Sequence, residues 1–283
     1  MAMRVATSPI RTRIGRTPWT APVPIAPRPT SLGPPTVRIA GTDVHLTDAD
    51  GARAVIASAV HTREEAPLAV VSINLDHIHH AGGLPPAAGR ARWLNLIDGA
   101  PIAQEARRLT GTPWPRLAGS DLIGDILTQA SAEHWSVAVL GGAPEVRHSL
   151  HHRVTAEWPG VRLVGHWTPT REELASPEAS SRIAEQIRSA GADIVIVCLG
   201  KPRQEKWIAD HGHETAAGVL LAFGAVVDFL AGRVSRAPRW VSDAGFEWMW
   251  RLMLEPRRLA RRYLIEGPPA YMAVRRSSAR QGA

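Results

Sequence analysis

Cysteine is nearly missing from the 283 residues: Cys198 is the only one. No intramolecular disulfide can form, and a reducing compartment is the default. Cys198 lies inside an apolar run and reads as a small core residue. Long hydrophobic runs are missing too. A membrane-spanning helix needs roughly 18–20 consecutive apolar residues, and the nearest approach, Val219–Leu230, is short and interrupted by Asp228. The chain is therefore expected not to cross a membrane. Several catalytic signatures are also absent: the Gly-x-Ser-x-Gly nucleophile elbow, the full dinucleotide fingerprint, the phosphate-loop lysine and any Cys–His pairing with an exposed thiol. There is no internal repeat and no helix-turn-helix signal, and nucleic acid is not an expected partner.

What is present is basic and alternating. Lys+Arg number 33 against 26 Asp+Glu, a net charge of +7 with a sequence pI near 10.7, and the excess is almost entirely arginine. Arginine offers a planar fork of donors that fits phosphate and carboxylate oxygens, so the bias favours an anionic partner; high-GC codon usage accounts for it equally well. Residues 1–36, rich in Pro and Arg ("RTRIGRTPWTAPVPIAPRPT"), carry no apolar h-region and read as a disordered basic arm. From Val37 short apolar runs alternate with amphipathic stretches. Strands are expected at Val37–Ala40, Ala69–Asn74, Trp93–Ile97, Ser136–Leu140, Val161–Gly165, Asp193–Leu199 and Val219–Phe223. Helices are expected at Asp48–Val60, Pro101–Leu109, Asp121–Glu133, Pro144–Glu157, Arg171–Ser189 and Pro202–His211. Continuous apolar strands separated by helices argue for an α/β fold, Rossmann-like, with a mainly parallel sheet flanked by helices over 37–232. Residues 233–283 change character, with helical patterns at Ser242–Leu254 and Pro256–Ile265, no strand and most of the late arginines. They read as a basic helical appendage. Its apolar face (Trp240, Phe246, Trp248, Met249, Trp250) suits a membrane surface, with arginines meeting anionic lipid. Equally, it suits docking on the core or on a neighbouring subunit of a homo-oligomer.

In open parallel sheets, ligands bind at the carboxyl ends of the strands. "VVSINLDH" leaves Ser72, Asn74 and Asp76 at one such exit, and "WLNLIDGAP" leaves Asp98 before Gly99 at another. A carboxylate there can take a proton from a bound hydroxyl, which makes Asp98 the candidate base; an ordinary Asp-Gly turn is the competing reading. Gly141-Gly142 precedes Pro144 and could present backbone N–H groups to a phosphate, although glycines in such turns often serve close packing alone. The acids of Asp48-Ala49-Asp50 fit a helix's first turn better than a metal site. The histidine groups His77, His79, His80 and His148, His151, His152 have no thiolate or carboxylate at structural-site spacing and read as solvated; no metal ligand is expected. Leu199-Gly200 runs directly into "KPRQEKWI", where Trp207-Ile208 return to the core and Glu205 and Lys206 read as a solvated helix face.

"GKPRQEKWI" (Gly200–Ile208) resembles the Gly-x-Pro-x-Gln-Glu-x-Trp motif of the WecG/TagA/CpsF glycosyltransferases, glycosyltransferase family 26. The resemblance is co-linear over roughly Val37–Tyr263. It takes in "VHLTDADGARAVI", "VVSINLDHI" for a Thr-Pro-Asn segment, and "LIDGAPI" for Ala-Asp-Gly. "PRLAGSDLI" stands for Arg-x-x-Gly-x-Asp and "LGGAPEV" for Gly-Gly-x-Pro, followed by the late "GRVSRAPRWVSDAGFEWMWRLMLEPRRLARRY". It implies an inverting, metal-independent enzyme without a cofactor. The sugar, N-acetylmannosamine or its uronic acid, would pass from a UDP-sugar to a polyprenyl-diphosphate-linked acceptor at the cytoplasmic membrane face, in polysaccharide or wall-polymer synthesis. It further implies Asp98 as the base, Ser72 and Asn74 in the sugar pocket, Arg116 near the reacting groups and Gln204 on the donor. Arg251, Arg258, Arg261 and Arg262 of the appendage would close over the diphosphate.

The chain departs from the family pattern in two places. Ser72-Ile73-Asn74 keeps the hydroxyl and the amide but lacks the proline, and Leu96-Ile97 precede Asp98 where an Asn-Ala pair is common, with Asn95 one place further away. A drier pocket follows, and donor identity stays open to glucosyl or glucuronosyl transfer. A non-catalytic, membrane-associated nucleotide-binding module is the alternative from a different functional class.

Overall fold

The structure is a computed structural model that describes residues 33–81, 90–224, 226–233, 253 and 261–279. Of the sequence expectations, residues 1–32 of the 1–36 arm, the helix at 242–254 apart from Met253, and most of the helix at 256–265 lie outside the described residues; the arm's last residue, Thr36, opens a strand, and Pro35 O accepts from Leu46 N at 2.8 Å.

Six of the seven expected strands form one all-parallel sheet. In chain order these are β3 (Leu68–Ile73), β4 (Arg92–Ile97), β5 (Ser136–Gly141), β6 (Arg162–Trp167), β7 (Ile194–Cys198) and β8 (Val219–Ala222). The sheet order is β4-β3-β8-β7-β5-β6. The seventh run, β1 (Thr36–Ile39), stays outside this sheet. It pairs antiparallel with β2 (Thr42–His45), a strand the sequence reading lacks, through a turn in which Ala40 and Gly41 both take positive φ, 47° and 85°. Two positive-φ residues make the tight hairpin whose twist matches its strands. This hairpin covers the sheet's β4 edge: Asn95 Nδ2 donates to Asp43 O at 2.7 Å and Asn95 N donates to His45 Nδ1 at 3.0 Å, satisfying groups that an open edge would leave unpaired.

Successive strand residues point to opposite faces and enter two separate cores. Val70, Leu94, Leu96, Val137, Val139, Ile194, Ile196, Val219 and Leu221 pack with α1 (Ala49–Thr62), α4 (Gly119–Ala132), α5 (Arg147–Glu157) and α9 (Val226–Leu230). Ala69, Val71, Ile73, Ala138, Leu140, Val195, Val197 and Leu220 pack with α2 (Leu75–Ala81), α3 (Ala100–Thr110), α7 (Pro177–Ser189), α8 (Arg203–His211) and α10 (Gly267–Ala279). Being buried on both faces is why these strands read as unbroken apolar runs.

Local chemistry sets the helix ends. Asp48 caps α1, its Oδ1 accepting from Gly51 N at 2.8 Å, so Asp48-Ala49-Asp50 is a helix start. The expected helix Arg171–Ser189 is two: α6 (Arg171–Ala175), begun by a capping box between Thr170 and Glu173, and α7, begun by Ser176. Pro177 divides them, because proline cannot donate into the preceding turn yet fits a first turn. A 3₁₀ turn at Pro144–Val146 precedes α5. α2 and α10 are further elements that the sequence reading lacks. A π-helical turn, Arg261–Glu266, leads into α10, whose Ala270 and Val274 are buried in the second core. At least this end of the appendage docks on the body, and Gly33–Ala283 form one compact unit.

Candidate active site

The exits of β3 and β4 are in register, Ser72 with Leu96 and Ile73 with Ile97, and Asp98 N extends the ladder to Ile73 O at 2.9 Å. Asn74 and Asp98 therefore leave the sheet side by side. Asn74 Nδ2 donates to Asp98 Oδ2 at 2.9 Å, while Asn74 Oδ1 accepts from Lys201 Nζ at 3.0 Å and from Asp76 N at 3.2 Å. An ammonium can only donate, so Lys201 fixes which end of the Asn74 amide faces it and leaves the NH₂ for Asp98. Asp98 is half-buried, and its Oδ1 has no hydrogen-bond partner among the described residues. Asp193 stands at the opposite, amino-terminal end of the sheet with both oxygens occupied, by Arg63 and by Ser136 N. That carboxylate is structural, whereas Asp98 retains acceptor capacity.

A buried network lies beneath. His77, 4% exposed, accepts from Asn74 N at its Nδ1 and donates from Nε2 to Glu205 Oε1 at 3.2 Å. Burial, assisted by the Lys201 ammonium, pushes the His77 pKa down to about 4, so the ring is neutral and its tautomer follows from these two bonds. Glu205, 2% exposed, also accepts from Gln204 Nε2 at 2.8 Å. Burial raises its pKa, but the bonds from His77 and Gln204 outweigh that and hold the carboxyl below its ordinary range. Both residues correct the sequence reading. His77 is not solvated, because α2 turns it inward beside Ile78, and Glu205 is not on a solvated face, because α8 aims it at α2. Lys206 alone matches that description, exposed and paired with Asp210. Trp207 and Ile208 return to the core as expected.

Gln204 has zero exposure. Its Nε2 bonds Ala222 O at 2.9 Å as well as Glu205, and its Oε1 lies against Gly224, where a Cβ would come within 2.8 Å. It ties the exits of β7 and β8 together. Ser72, 8% exposed, donates to Leu117 O at 2.8 Å, and Leu117 N donates to Ile97 O at 2.6 Å. These bonds hold the segment carrying exposed Arg116 against the β3 and β4 exits. Gly141 and Gly142 sit where β5 and β7 send their connections in opposite directions, β5 to the edge and β7 inward. Both are pressed close: a Cβ on Gly141 would lie 2.4 Å from Cys198 O, one on Gly142 would lie 2.6 Å from Val227 Cγ1, and Gly142 N already donates to Cys198 O. Both glycines are closely packed, and both take positive φ, 100° and 81°. Arg251 and Arg258 lie outside the described residues. Arg261 and Arg262 begin the π-helical turn, and their side chains are likewise outside.

A surface groove of about 490 Å³ beside α5, lined by His148, His152, Arg153 and Glu157, contains none of the candidate residues. Lys201, His77 and Glu205 join the candidate site although the sequence reading gave them no role in it, and Asp76, which it set at the β3 exit, joins them. Their signal was present: they occupy the two polar segments that directly follow fully buried strands.

The parallel sheet gathers a carboxylate, an amide and an ammonium from the exits of β4, β3 and β7 beyond its carboxyl edge, where α/β proteins bind their ligands. The Glycosyl transferase WecG/TagA/CpsF family model matches residues 37–283, and the chain belongs to that family. It is a glycosyltransferase, acting on a sugar donor and an acceptor.

Proposed function

We propose that the protein transfers a hexosyl group, N-acetylmannosamine or its uronic acid, from a UDP-sugar to a hydroxyl of a polyprenyl-diphosphate-linked sugar. The observation that carries this reading is Asp98 at the β4 exit, held through Oδ2 by Asn74 and retaining acceptor capacity at Oδ1. The carboxylate takes the acceptor hydroxyl's proton as that oxygen bonds to the donor's anomeric carbon. The bond from that carbon to the diphosphate breaks, and UDP leaves with the electron pair. Attack opposite the leaving group inverts the anomeric centre. Negative charge accumulating on UDP requires cationic or N–H partners. Lys201 supplies one at the site, Arg116 stands on the adjoining segment, and the appendage arginines Arg251, Arg258, Arg261 and Arg262 would supply the rest on closing. No metal ion is needed for this step.

Ser72 and Gln204 act by positioning, since their polar atoms hold Leu117, Glu205 and Ala222. The lipid acceptor places the enzyme at the cytoplasmic face of a membrane as a peripheral protein. Among the described residues no helix is long and apolar enough to cross one. Leu264 and Ile265 are 64% and 67% exposed, Tyr271 and Met272 are exposed on α10, and Arg275 and Arg276 follow them. An apolar patch next to arginines suits an anionic bilayer surface.

The test is a screen of UDP-sugars against a polyprenyl-diphosphate-N-acetylglucosamine analogue with EDTA present. Turnover of one donor, lost in Asp98→Asn, supports the reading. Undiminished transfer by Asp98→Asn rejects the mechanism, and turnover of only glucosyl or glucuronosyl donors reassigns the sugar.

A further inference from the structure

Two histidines with Asp76 as their neighbouring carboxylate in the sequence acquire a second, distant one in the fold. His79 and His80 occupy the last turn of α2, and the π-helical turn preceding α10 brings Glu266 to them. One ligand atom from each residue lies within 4.8 Å of the other two, and the imidazole centroids are 5.1 Å apart at an interplanar angle of 78°. All three are solvent-reachable, the histidines exposed and Glu266 partly so.

A second feature supports a ligand role. His80 Nδ1 faces Asp76 O at 3.1 Å and Asp76 Oδ1 at 3.4 Å. A ring whose Nδ1–H is held by a carbonyl, with a carboxylate close by, presents the lone pair of Nε2 outward, which is the arrangement found behind metal-bound histidines. Asp76 itself is 8% exposed at its side chain.

We propose that His79, His80 and Glu266 bind a divalent transition-metal ion of the zinc class. Two imidazoles and a carboxylate make a three-ligand set that leaves one position for water, and imidazole donors favour Zn²⁺, Ni²⁺ or Cu²⁺ over Mg²⁺ and Ca²⁺. Ligand atoms around a tetrahedral zinc stand about 3.3 Å apart, given metal–ligand bonds of about 2.0–2.1 Å. Closing the observed triangle from its 4.8 Å limit to that spacing takes a shift of roughly an ångström per ligand atom. The ion would cross-link α2 to the C-terminal segment. Its outer carboxylate, Asp76, also lies 3.7 Å from Lys201 Nζ, so the bound state is connected to the Asn74–Asp98 pair through Asp76 and Lys201. The ion takes no part in the transfer step, and its binding is measured without turnover.

The test uses the untagged full chain, stripped with EDTA and exchanged into chelator-free buffer, then titrated with ZnCl₂ by calorimetry. Glu266→Gln and His80→Ala are run in parallel, each with its metal-free melting temperature recorded. A His148→Ala/His151→Ala/His152→Ala variant controls for the other histidine group. The proposal expects a site that both ligand variants weaken at least about tenfold and the control leaves intact, no heat from MgCl₂, and a zinc-induced rise in Tm that Glu266→Gln lacks. It is overturned by an absence of zinc binding, or by binding that survives both ligand variants. Binding lost only in the triple control overturns it as well.

Discussion

Asn74 Nδ2 and Asp98 Oδ2 meet at 2.9 Å, joining the exits of two adjacent parallel strands by one hydrogen bond. The amide orients the carboxylate without neutralising it, and Lys201 orients the amide. Removing the base should lower kcat about 10²–10⁴-fold in Asp98→Asn, the usual range for a positioned general base. Asn74→Ala keeps the base but releases its orientation. Its loss should be smaller and fall mainly on kcat, which steady-state kinetics with both substrates will show; an effect confined to donor KM would contradict the orienting role.

Lys201→Met removes the group that holds Asn74 Oδ1 and leaves Asp76, 8% exposed at its side chain, without its ammonium. Transfer should fall at least about tenfold, consistent with losing a charge-assisted bond. Lys201→Arg should recover part of it. Equal losses in the two variants would show that shape, not charge, matters at this position.

Acid should loosen the fold through His77. Its pKa is about 4 in the folded protein against 6.5 when free, so between these values the unfolded chain binds more protons. The stability contribution is fully present above pH 6.5 and is lost as pH falls toward 4. Glu205, with its carboxyl held below the ordinary value, adds loss in the same direction at lower pH. Lys201, Glu205 and Asp76 are the charged groups acting on the ring. Between pH 7 and 4.5 the His77 contribution falls by on the order of 2 kcal/mol. In thermal melts with EDTA present, His77→Gln should flatten this dependence; an unchanged slope would place its origin elsewhere.

A Cβ on Gly119 would lie 2.4 Å from the Phe223 ring, where the start of α4 packs on the β8 exit. Gly119→Ala should cost about 1–3 kcal/mol in denaturant unfolding, as overpacked cores do. The companion Gly119→Ala/Phe223→Leu should recover part of that cost, and no recovery would locate the strain elsewhere.

Burial pushes the Cys198 thiol up to about 12, and the side chain is 6% exposed. At pH 8 an aromatic disulfide reagent should label it only on unfolding, since the thiolate is the reacting form. Prompt labelling of the native chain would show that the β5–β7 exit opens readily.

Some of the site was readable before folding. Asp98 follows an apolar strand and precedes a glycine, and Asn74 ends another, so the position of each at a strand exit followed from periodicity alone. Lys201 was legible only as a charge after "VIVCLG". That it reaches Asn74 depends on β8 lying between β3 and β7, a sheet order that short-range pattern does not encode. Gln204 shows the converse: a polar residue in a ligand-like motif is wholly buried, its Nε2 paired with Ala222 O and Glu205.

The sequence by itself determined the strands of the parallel sheet, most helix starts and the family, because these rest on two-residue and 3.6-residue periods, capping chemistry and a co-linear run of motifs. Tertiary structure alone decided which exits became neighbours, which histidine was buried and which exposed, and that Glu266 met His79 and His80. Those outcomes depend on side chains far apart in the chain sharing one surface, and only the packing of the two cores against the sheet brings them together.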